Sequence, residues 1–184
     1  MTVRFTRHFA FPSEDTFDIT PIGELVKRYL RNAGISIDPF ARNKRWATYT
    51  NDLNTSTAAE YHMDSADFLE KLASEGVKAD LVLFDPPYSP RQIKECYDGI
   101  GLKMQTEDAW RTNGWKRERR AIGELLNIGG HVLSFGWHSN GIGRYYGFKI
   151  VEMLIVCHGW GHNDTLCLVE EKTSRQCRME MICP

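Results

Sequence analysis

The chain has 184 residues, of which 42% are hydrophobic and 26% charged, and its formal net charge is −1. This composition is typical of a globular protein, and the length predicts a single domain over residues 1–184 with enough apolar material for one core. No apolar run approaches the roughly 20 residues that span a bilayer, and residues 1–5 lack the apolar segment of a secretory signal. We therefore expect no membrane partner and a cytoplasmic location.

The cysteines indicate neither disulfides nor a metal site. There are five, an odd number, and no two have the Cys-x-x-Cys spacing. Reduced thiols are the simplest interpretation. Cys157, His158, His162 and Cys167 lie close together in sequence but lack the usual spacing of zinc ligands, so we predict no metal.

Apolar periodicity predicts helices that alternate with strands from residue 20 onward. A helical apolar stripe follows Thr20, a candidate N-cap, and Pro21, and is expected to end at Gly34. Residues 80–84 are almost wholly apolar, which is typical of a strand buried on both faces of a parallel sheet. Further helices are predicted over residues 65–73 and 115–126, and further strands over residues 35–40, 46–50, 60–63 and 131–135.

This alternation predicts an α/β fold, namely a three-layer sandwich with a mainly parallel sheet. Two strands over residues 148–156 and 165–169 are expected to pair antiparallel around a short loop, which makes the last strand antiparallel. Residues 1–15 are expected to form an irregular arm and residues 173–184 a tail. Residues 89–120 are polar and are a candidate insertion that contacts a substrate.

The strongest local signal is Asp85-Pro86-Pro87-Tyr88, directly after the apolar strand. Ligands of open α/β sheets bind at the carboxyl edge of the strands. The two prolines stiffen the turn and remove two amide donors, so its carbonyls are free to accept hydrogen bonds. With the Asp85 carboxylate, these acceptors suit the amino group of a base, and Tyr88 offers a face for stacking on a flipped base. A rigid turn with a surface tyrosine is the alternative interpretation.

Two further aspartates each follow a predicted strand. Asp52 can accept two hydrogen bonds from ribose hydroxyls, although aspartate is also a common turn residue. Asp64 can accept from an adenine amino group, or it can cap the helix that begins at Ser65. Because each aspartate follows its own strand, the two placements support each other.

At these residues the chain resembles the DNA amino-methyltransferases with an Asp-Pro-Pro-Tyr motif, which use S-adenosylmethionine. The segment that begins at Thr20 resembles the family's motif X, and the segment that begins at Asp38 resembles its motif I. The resemblance covers about residues 16–172 and implies a Rossmann-like methyltransferase fold. It implies a catalytic motif of Asp85, Pro86, Pro87 and Tyr88, and a cofactor site of Thr20, Pro21, Ile22, Asp38, Pro39, Phe40, Ala41, Asn43, Asp52, Asp64, Ser65 and Ala66.

The chain departs from the family in motif I, which normally continues with glycines that let the backbone approach the cofactor. Here Ala41 is followed by Arg42, Asn43, Lys44 and Arg45. Asn43 can adopt a left-handed conformation and is expected to replace one glycine, whereas Arg42 cannot do so cheaply. A non-catalytic nucleic-acid-binding subunit that kept the fold is therefore an alternative.

The resemblance implies methyl transfer to the exocyclic amino group of a base, with N6 of adenine in DNA favoured by the aspartate of the motif. An RNA base is the alternative, and a nicotinamide enzyme is disfavoured because no Gly-x-Gly-x-x-Gly follows the first strand. No separate recognition domain is evident, which indicates relaxed specificity, a homodimer or a separate specificity partner. Basic stretches occupy residues 27–45 and 103–120, and the loop 158–163 is a further candidate contact. The residues expected to contact nucleic acid are Arg91, Trp110, Arg111, Trp115, Lys116 and Arg117.

Overall fold

The computed structural model describes residues 2–103, 114–159 and 161–174. Its helices are α1 (Thr20–Leu30), α2 (Ser65–Ser74), α3 (Pro90–Gly99) and α4 (Lys116–Leu125). Its strands are β1 (Arg4–Phe9), β2 (Ser36–Asp38), β3 (Tyr49–Thr50), β4 (Ala79–Phe84), β5 (Leu126–Gly136), β6 (Phe148–Cys157) and β7 (Thr165–Lys172).

The strands form one seven-stranded sheet in the order β1-β6-β7-β5-β4-β2-β3. Only β7 is antiparallel to its neighbours β5 and β6, and the other pairs are parallel. Successive residues of β4 point to opposite layers: Val82 packs in a core with α2 and α4, and Leu83 packs in a core with α1. The predicted three-layer fold with a mainly parallel sheet is confirmed. No helix in the described part of the chain is long and apolar enough to span a bilayer.

The parallel pairing brings the ends of three strands to one edge of the sheet. Asp38 at the end of β2 lies opposite Thr50 at the end of β3. The neighbouring strand β4 ends one residue before Asp85. The loops that follow β2, β3 and β4 therefore meet at the carboxyl edge, where ligands of such sheets bind.

The prediction that residues 1–15 form an irregular arm is wrong, because β1 pairs in parallel with β6. Most β1 side chains are exposed, since the strand lies at the sheet edge, and the polar–apolar alternation that would have identified it is absent. Residues 60–63 also form no strand, and Tyr61 makes only an isolated bridge to Asn51. Within the polar region 89–120, residues 90–99 form α3.

The predicted boundaries of two helices are also wrong. Ile19 occupies the N-cap position of α1, and Thr20 is the first helical residue. The helix ends before Gly34, whose backbone N–H instead donates to Oδ2 of Asp80 at 3.1 Å. The helix predicted over residues 115–126 spans Lys116–Leu125, and β5 begins directly after it at Leu126.

Gly23 sets how closely α1 approaches the short 3-10 turn Thr16–Asp18. A Cβ at Gly23 would lie 2.6 Å from the carbonyl oxygen of Phe17, whereas a Cβ at Gly99 in α3 would meet nothing within 4 Å. We expect Gly23→Ala to lower the free energy of unfolding by about 1–3 kcal/mol, because the turn must move. Gly99→Ala is the matched control and should be neutral or slightly stabilising, since alanine favours helix. Equal effects of the two substitutions in urea unfolding would contradict this packing.

Candidate functional site

A cleft of about 720 Å³ opens at the carboxyl edge of the sheet. Phe40 after β2, Asp52 after β3 and Asp85 after β4 all line it. The segments predicted for the cofactor and for catalysis therefore open into one space. Sequence reasoning missed the wall that comes from the segment before α1, namely Ser13, Glu14 and Thr16. The α3 wall lies within the predicted substrate-contact region 89–120, although Gln92, Glu95 and Cys96 were not singled out.

A smaller, mainly apolar pocket of about 110 Å³ adjoins the cleft. The two share Phe40, Asp52 and Pro87 among their lining residues. Asp64 and Ser65 line only the smaller pocket, which the N-terminal end of α2 closes. The site thus has an open polar part beside Asp85 and a narrower apolar part beside α2.

Asp85 is a half-buried carboxyl that already has protein donors. The Tyr88 hydroxyl donates to its Oδ1 at 2.5 Å, and Thr16 also hydrogen-bonds to it. Burial raises the pKa of Asp85 above its ordinary value, and these two hydrogen bonds and the nearby Arg42 oppose the rise. Asp85 is therefore a carboxyl of increased basicity at the wall of the cleft.

Tyr88 is held in place at both its hydroxyl and its ring. The ring packs edge-to-face on Trp137, with centroids 5.6 Å apart, and the backbone N–H donates to Oε1 of Gln92 at 2.6 Å. Burial, followed by the charge of Asp85, raises the pKa of Tyr88 well above its ordinary value. Trp137 is exposed and was not predicted, although its position directly after β5 is a signal that could have identified it.

Asp52 is fixed by two backbone donors. Its Oδ2 accepts from the N–H of Arg42 at 3.0 Å, and its Oδ1 accepts from the N–H of Asn54 at 2.8 Å. A carboxylate oxygen has two lone pairs, so each oxygen keeps one for a ligand. The loops after β2 and β3 thus present Asp52 to the cleft in a defined orientation.

Arg42, and not Asn43, takes the left-handed conformation in motif I, with φ of 49°. The expectation that Asn43 replaces a glycine is therefore wrong, and Arg42 takes this conformation despite its energetic cost. The Arg42 guanidinium forms an ion pair with Oδ1 of Asp15 at 2.6 Å and donates to the carbonyl oxygen of Glu14 at 2.7 Å. Asn43 instead accepts, through Oδ1, a hydrogen bond from the N–H of Ala58 at 3.1 Å. Arg42 thus joins the motif I loop to the N-terminal segment at the rim of the cleft.

Asp38 is buried, with 1% of its surface exposed, and only one of its carboxyl oxygens has a partner. Oδ1 accepts from the N–H of Phe40 at 3.0 Å, while Oδ2 has no hydrogen bond within the described chain. Burial raises the pKa of Asp38 to about 8, and the charges of Asp85 and Asp52 contribute to the rise. Buried carboxyl oxygens are rarely left without a partner, so this one requires an explanation, although Asp38 lines neither the cleft nor the smaller pocket.

Several residues predicted for the cofactor do not line either space. Thr20 is exposed, Pro21 lies at grooves on the α1 side of the sheet, and Ile22 is in the core. Ala41 and Ala66 are also buried in the core, and neither Asp38 nor Asn43 lines the cleft or the smaller pocket.

The N-terminus of α2 combines structural roles with its place at the smaller pocket. Oδ1 of Asp64 accepts from the N–H of Ala66 at 2.9 Å and so caps the helix. The hydroxyl of Ser65 donates to the buried Glu118 at 3.0 Å. The capping role weighed for Asp64 from the sequence is therefore present, together with a place on the pocket wall.

Trp115 is a core residue, and the prediction of a surface contact to nucleic acid is wrong for it. It is 8% exposed and packs edge-to-face on Phe40 and Phe84, with ring centroids 5.7 and 6.3 Å away. Trp110 and Arg111, which were also predicted to contact nucleic acid, lie outside the described residues.

The other predicted contacts lie on helix surfaces, where carboxylates of the chain pair with both arginines. Arg91 pairs with Glu95 at 2.8 Å along α3, and Arg117 donates to two carboxylates of α2. Hydrogen bonds from those carboxylates raise the pKa of Arg117. Lys116 is exposed. In the loop 158–163, His158 is buried between the Ala10 carbonyl and the Thr165 hydroxyl, and residue 160 lies outside the described residues.

Similarity to known proteins is found among solved structures. No protein-family model matches the sequence, and no curated protein matches it. Among solved structures, SMU.776, described as a candidate methyltransferase complexed with SAH, aligns with a TM-score of 0.54 and 12% identity over 80% of this chain and 48% of that chain. NSun6 from Pyrococcus horikoshii, with SFG, aligns with a TM-score of 0.52 and 14% identity over 80% of this chain and 50% of that one.

A candidate hemolysin from Streptococcus thermophilus aligns with a TM-score of 0.51 and 12% identity over 93% of this chain and 70% of that chain. The chain spans about half the length of the first two structures. At identities this low, the structural alignments establish the fold alone, which is the Rossmann-like fold of methyltransferases.

The backbone at Arg42 gives a stability prediction. A left-handed conformation costs a residue other than glycine about 1–2 kcal/mol. In urea unfolding, the free energy of unfolding of Arg42→Gly should therefore exceed that of Arg42→Ala by about 1 kcal/mol. The φ of Asn43 is not positive, so Asn43→Ala should be more stable than Asn43→Gly, because glycine there raises the conformational entropy of the unfolded chain. Arg42→Ala equal to or more stable than Arg42→Gly would contradict the conformation.

Proposed function

We propose that this chain is an S-adenosylmethionine-dependent methyltransferase that acts on the exocyclic amino group of a nucleic-acid base, with N6 of adenine in DNA as its substrate. The observation that carries the proposal is the single cleft lined by Asp52, Phe40 and Asp85-Pro86-Pro87-Tyr88. The SAH and SFG bound to SMU.776 and NSun6, which share the fold, support the choice of cofactor. The sequence motif supports the choice of substrate.

The residues present suit the cofactor. The unpaired oxygen of buried Asp38 suits a ligand ammonium group, which S-adenosylmethionine carries in its amino-acid portion. Asp52 keeps lone pairs for ribose hydroxyls. The smaller pocket offers the Phe40 ring and the Pro87 ring to a planar base, with Asp64 as a polar wall residue. These residues would hold the ammonium group, the sugar and the adenine respectively.

When bound, S-adenosylmethionine supplies an electrophilic methyl group on a sulfonium sulfur. Asp85 and the carbonyl of Pro86 accept hydrogen bonds from the amino group of the base, and so orient its lone pair for attack. The nitrogen would form its bond to the methyl carbon as the carbon–sulfur bond breaks, and the carboxylate of Asp85 would stabilise the positive charge on the nitrogen until its extra proton leaves to solvent. The hydroxyls of Tyr88 and Thr16 hold Asp85 in position.

The pKa of Asp38 predicts proton release when the cofactor binds. With a pKa of about 8, Asp38 is mostly protonated at pH 7 in the free protein, and an ammonium partner favours the carboxylate. Binding should release up to about one proton at pH 7, and affinity should rise with pH until about 8. Calorimetry in phosphate and in Tris measures the release. Asp38→Asn should abolish the proton release. The control Asp52→Asn should weaken cofactor binding but keep the proton release. A wild-type protein that binds without proton release would contradict this role.

Asp85 is expected to be essential for methyl transfer and dispensable for cofactor binding. Asp85→Asn should lower the rate of transfer from tritiated S-adenosylmethionine to adenine-containing DNA by at least about 100-fold, because the charge on the amine loses its counterion. Cofactor affinity should stay within about threefold. Asp98→Asn, on the exposed surface of α3, is the control and should leave both unchanged. Full activity in Asp85→Asn would refute the assignment.

The same assay separates the competing substrates. Adenine-containing DNA should accept label, and matched RNA and protein extracts should not. Label in RNA alone would replace DNA by RNA as the substrate. Cofactor binding without label in any of them would favour a non-catalytic protein that kept the fold.

A further inference from the structure

Strand β1 and the residues just after it expose three phenylalanines at the edge of the sheet. The exposed fractions are 60% for Phe5, 64% for Phe9 and 80% for Phe11. Arg4 and Arg7 are exposed as well, Arg7 on the face of Phe5 and Phe9 and Arg4 on the opposite face of the strand. We call these five residues the β1 surface. Exposed aromatic residues in such number are unusual on a folded chain and indicate a binding partner.

The aromatic residues form an ordered row. Phe5 and Phe9 lie on one face of β1, with Arg7 between them, so their backbone positions are about 13 Å apart at roughly 3.3 Å per residue. Phe9 packs edge-to-face on Phe11, with centroids 5.7 Å apart. It also rests against Gly159, where a Cβ would lie 3.2 Å from its ring. The row is therefore held by its neighbours while most of its surface stays open.

The row points toward the catalytic cleft. Strand β1 runs parallel to β6, and β6 and β5 are both antiparallel to β7, so β1, β5 and β4 all end at the same edge. Phe11 is two residues before Ser13, which lines the cleft. A polymer lying along β1 would thus reach the rim of the site.

Basic side chains lie on both faces of β1, with Arg7 between Phe5 and Phe9, while Asp18 and Glu24 line the groove that contains Phe9 and Phe11. Strand β1 carries two arginines and a histidine and no acidic residue. On the opposite side of the strand, a groove of about 400 Å³ is lined by the basic residues Arg4, Lys27, Arg28 and Arg31 and by the acidic residues Glu24 and Glu152. Glu152 neutralises part of this charge through Arg28 at 2.6 Å and Arg4 at 3.7 Å. In the described chain, neither Lys27 nor Arg31 has an ion-pair partner, so positive charge remains.

We infer that the β1 surface binds single-stranded DNA, with bases stacked on the phenylalanines and phosphates held by the arginines. Aromatic side chains combined with basic groups bind unpaired strands without sequence preference, and here Arg7 lies within the aromatic row while the basic groove lies around the edge strand on its other face. Duplex DNA buries the faces of its bases and leaves none for such stacking. The inference names how the substrate of the proposed function is held, and so rests on that function.

A second copy of the chain is a poorer occupant of this edge. Antiparallel pairing of two β1 strands would gather four arginines and two histidines with no acidic residue on either strand. Basic side chains on an edge strand are a common protection against such pairing. A polyanion instead complements the same charges.

The inference is tested with the full chain and fluorescein-labelled 20-nucleotide oligothymidylate, which lacks an exocyclic amino group and so does not depend on the proposed chemistry. We expect the double variant Phe5→Ala with Phe9→Ala to bind at least about tenfold more weakly in fluorescence anisotropy, because two stacking platforms are removed. Phe11→Ala alone, outside the strand, should weaken binding as well. Tyr145→Ala, an exposed aromatic residue outside β1, is the matched control and should bind as the wild type does.

The arginines are tested through salt dependence. Arg4→Gln with Arg7→Gln should reduce the slope of log K against log salt concentration by about 0.7 for each phosphate that the variant no longer neutralises. Arg144→Gln, which removes an exposed arginine outside β1 and outside both basic stretches, is the control and should leave the slope unchanged. Circular dichroism melts check that every variant is folded.

Wild-type affinity in the phenylalanine variants would overturn the inference. Tighter binding of matched duplex, or of oligouridylate, would overturn the assignment to single-stranded DNA. A wild-type dimer in sedimentation that dissociates in the phenylalanine variants, with oligothymidylate binding unchanged, would assign the surface to a second copy. Oligothymidylate binding through β1 by a protein that transfers no methyl group would refute the proposed function and leave the DNA surface in place.

Discussion

The site depends on one buried amide. The Nδ2 group of Asn51 donates to the carbonyl oxygens of Pro39 at 3.2 Å and Met63 at 3.0 Å, and its Oδ1 accepts from the N–H of Met63 at 3.1 Å. One side chain thus joins the segments that follow β2 and β3 to the segment that precedes α2. Leaving one of these buried groups unpaired would cost about 1–3 kcal/mol, so the three segments move together. They carry Asp52 and Asp64, and Asn51 therefore fixes the walls of the cleft and of its apolar extension.

Two unfavourable features of the free protein lie within this framework. Asp38 buries a carboxyl oxygen without a partner in the described chain, and Arg42 takes a left-handed backbone conformation. Such features persist only where the surrounding structure enforces them, and they concentrate at functional sites. A cationic ligand would relieve the first, and the ion pair of Arg42 with Asp15 partly offsets the second. The glycine-poor motif I is thus compatible with a ligand site.

The strands and helices with a buried face were predictable, because burial leaves a periodic pattern. Residues 80–84 and the α2 segment were found within a residue. Strand β1 was missed because its side chains are exposed on both faces, and the surface role of Trp115 was wrong because composition does not reveal burial. The aspartates of the cleft could be predicted from their positions after strands. The Thr16 contact to Asp85 could not, because it joins distant parts of the chain.

The central claim is that cofactor and base meet between Asp52 and Asp85. A crystal structure of the chain with S-adenosylhomocysteine tests it most directly. The account predicts the ribose at Asp52, the amino-acid end at Asp38, and the sulfur facing Asp85 across the cleft. A ligand bound elsewhere, or a cleft in which the Arg42 side chain occupies the space between the two aspartates, would contradict it.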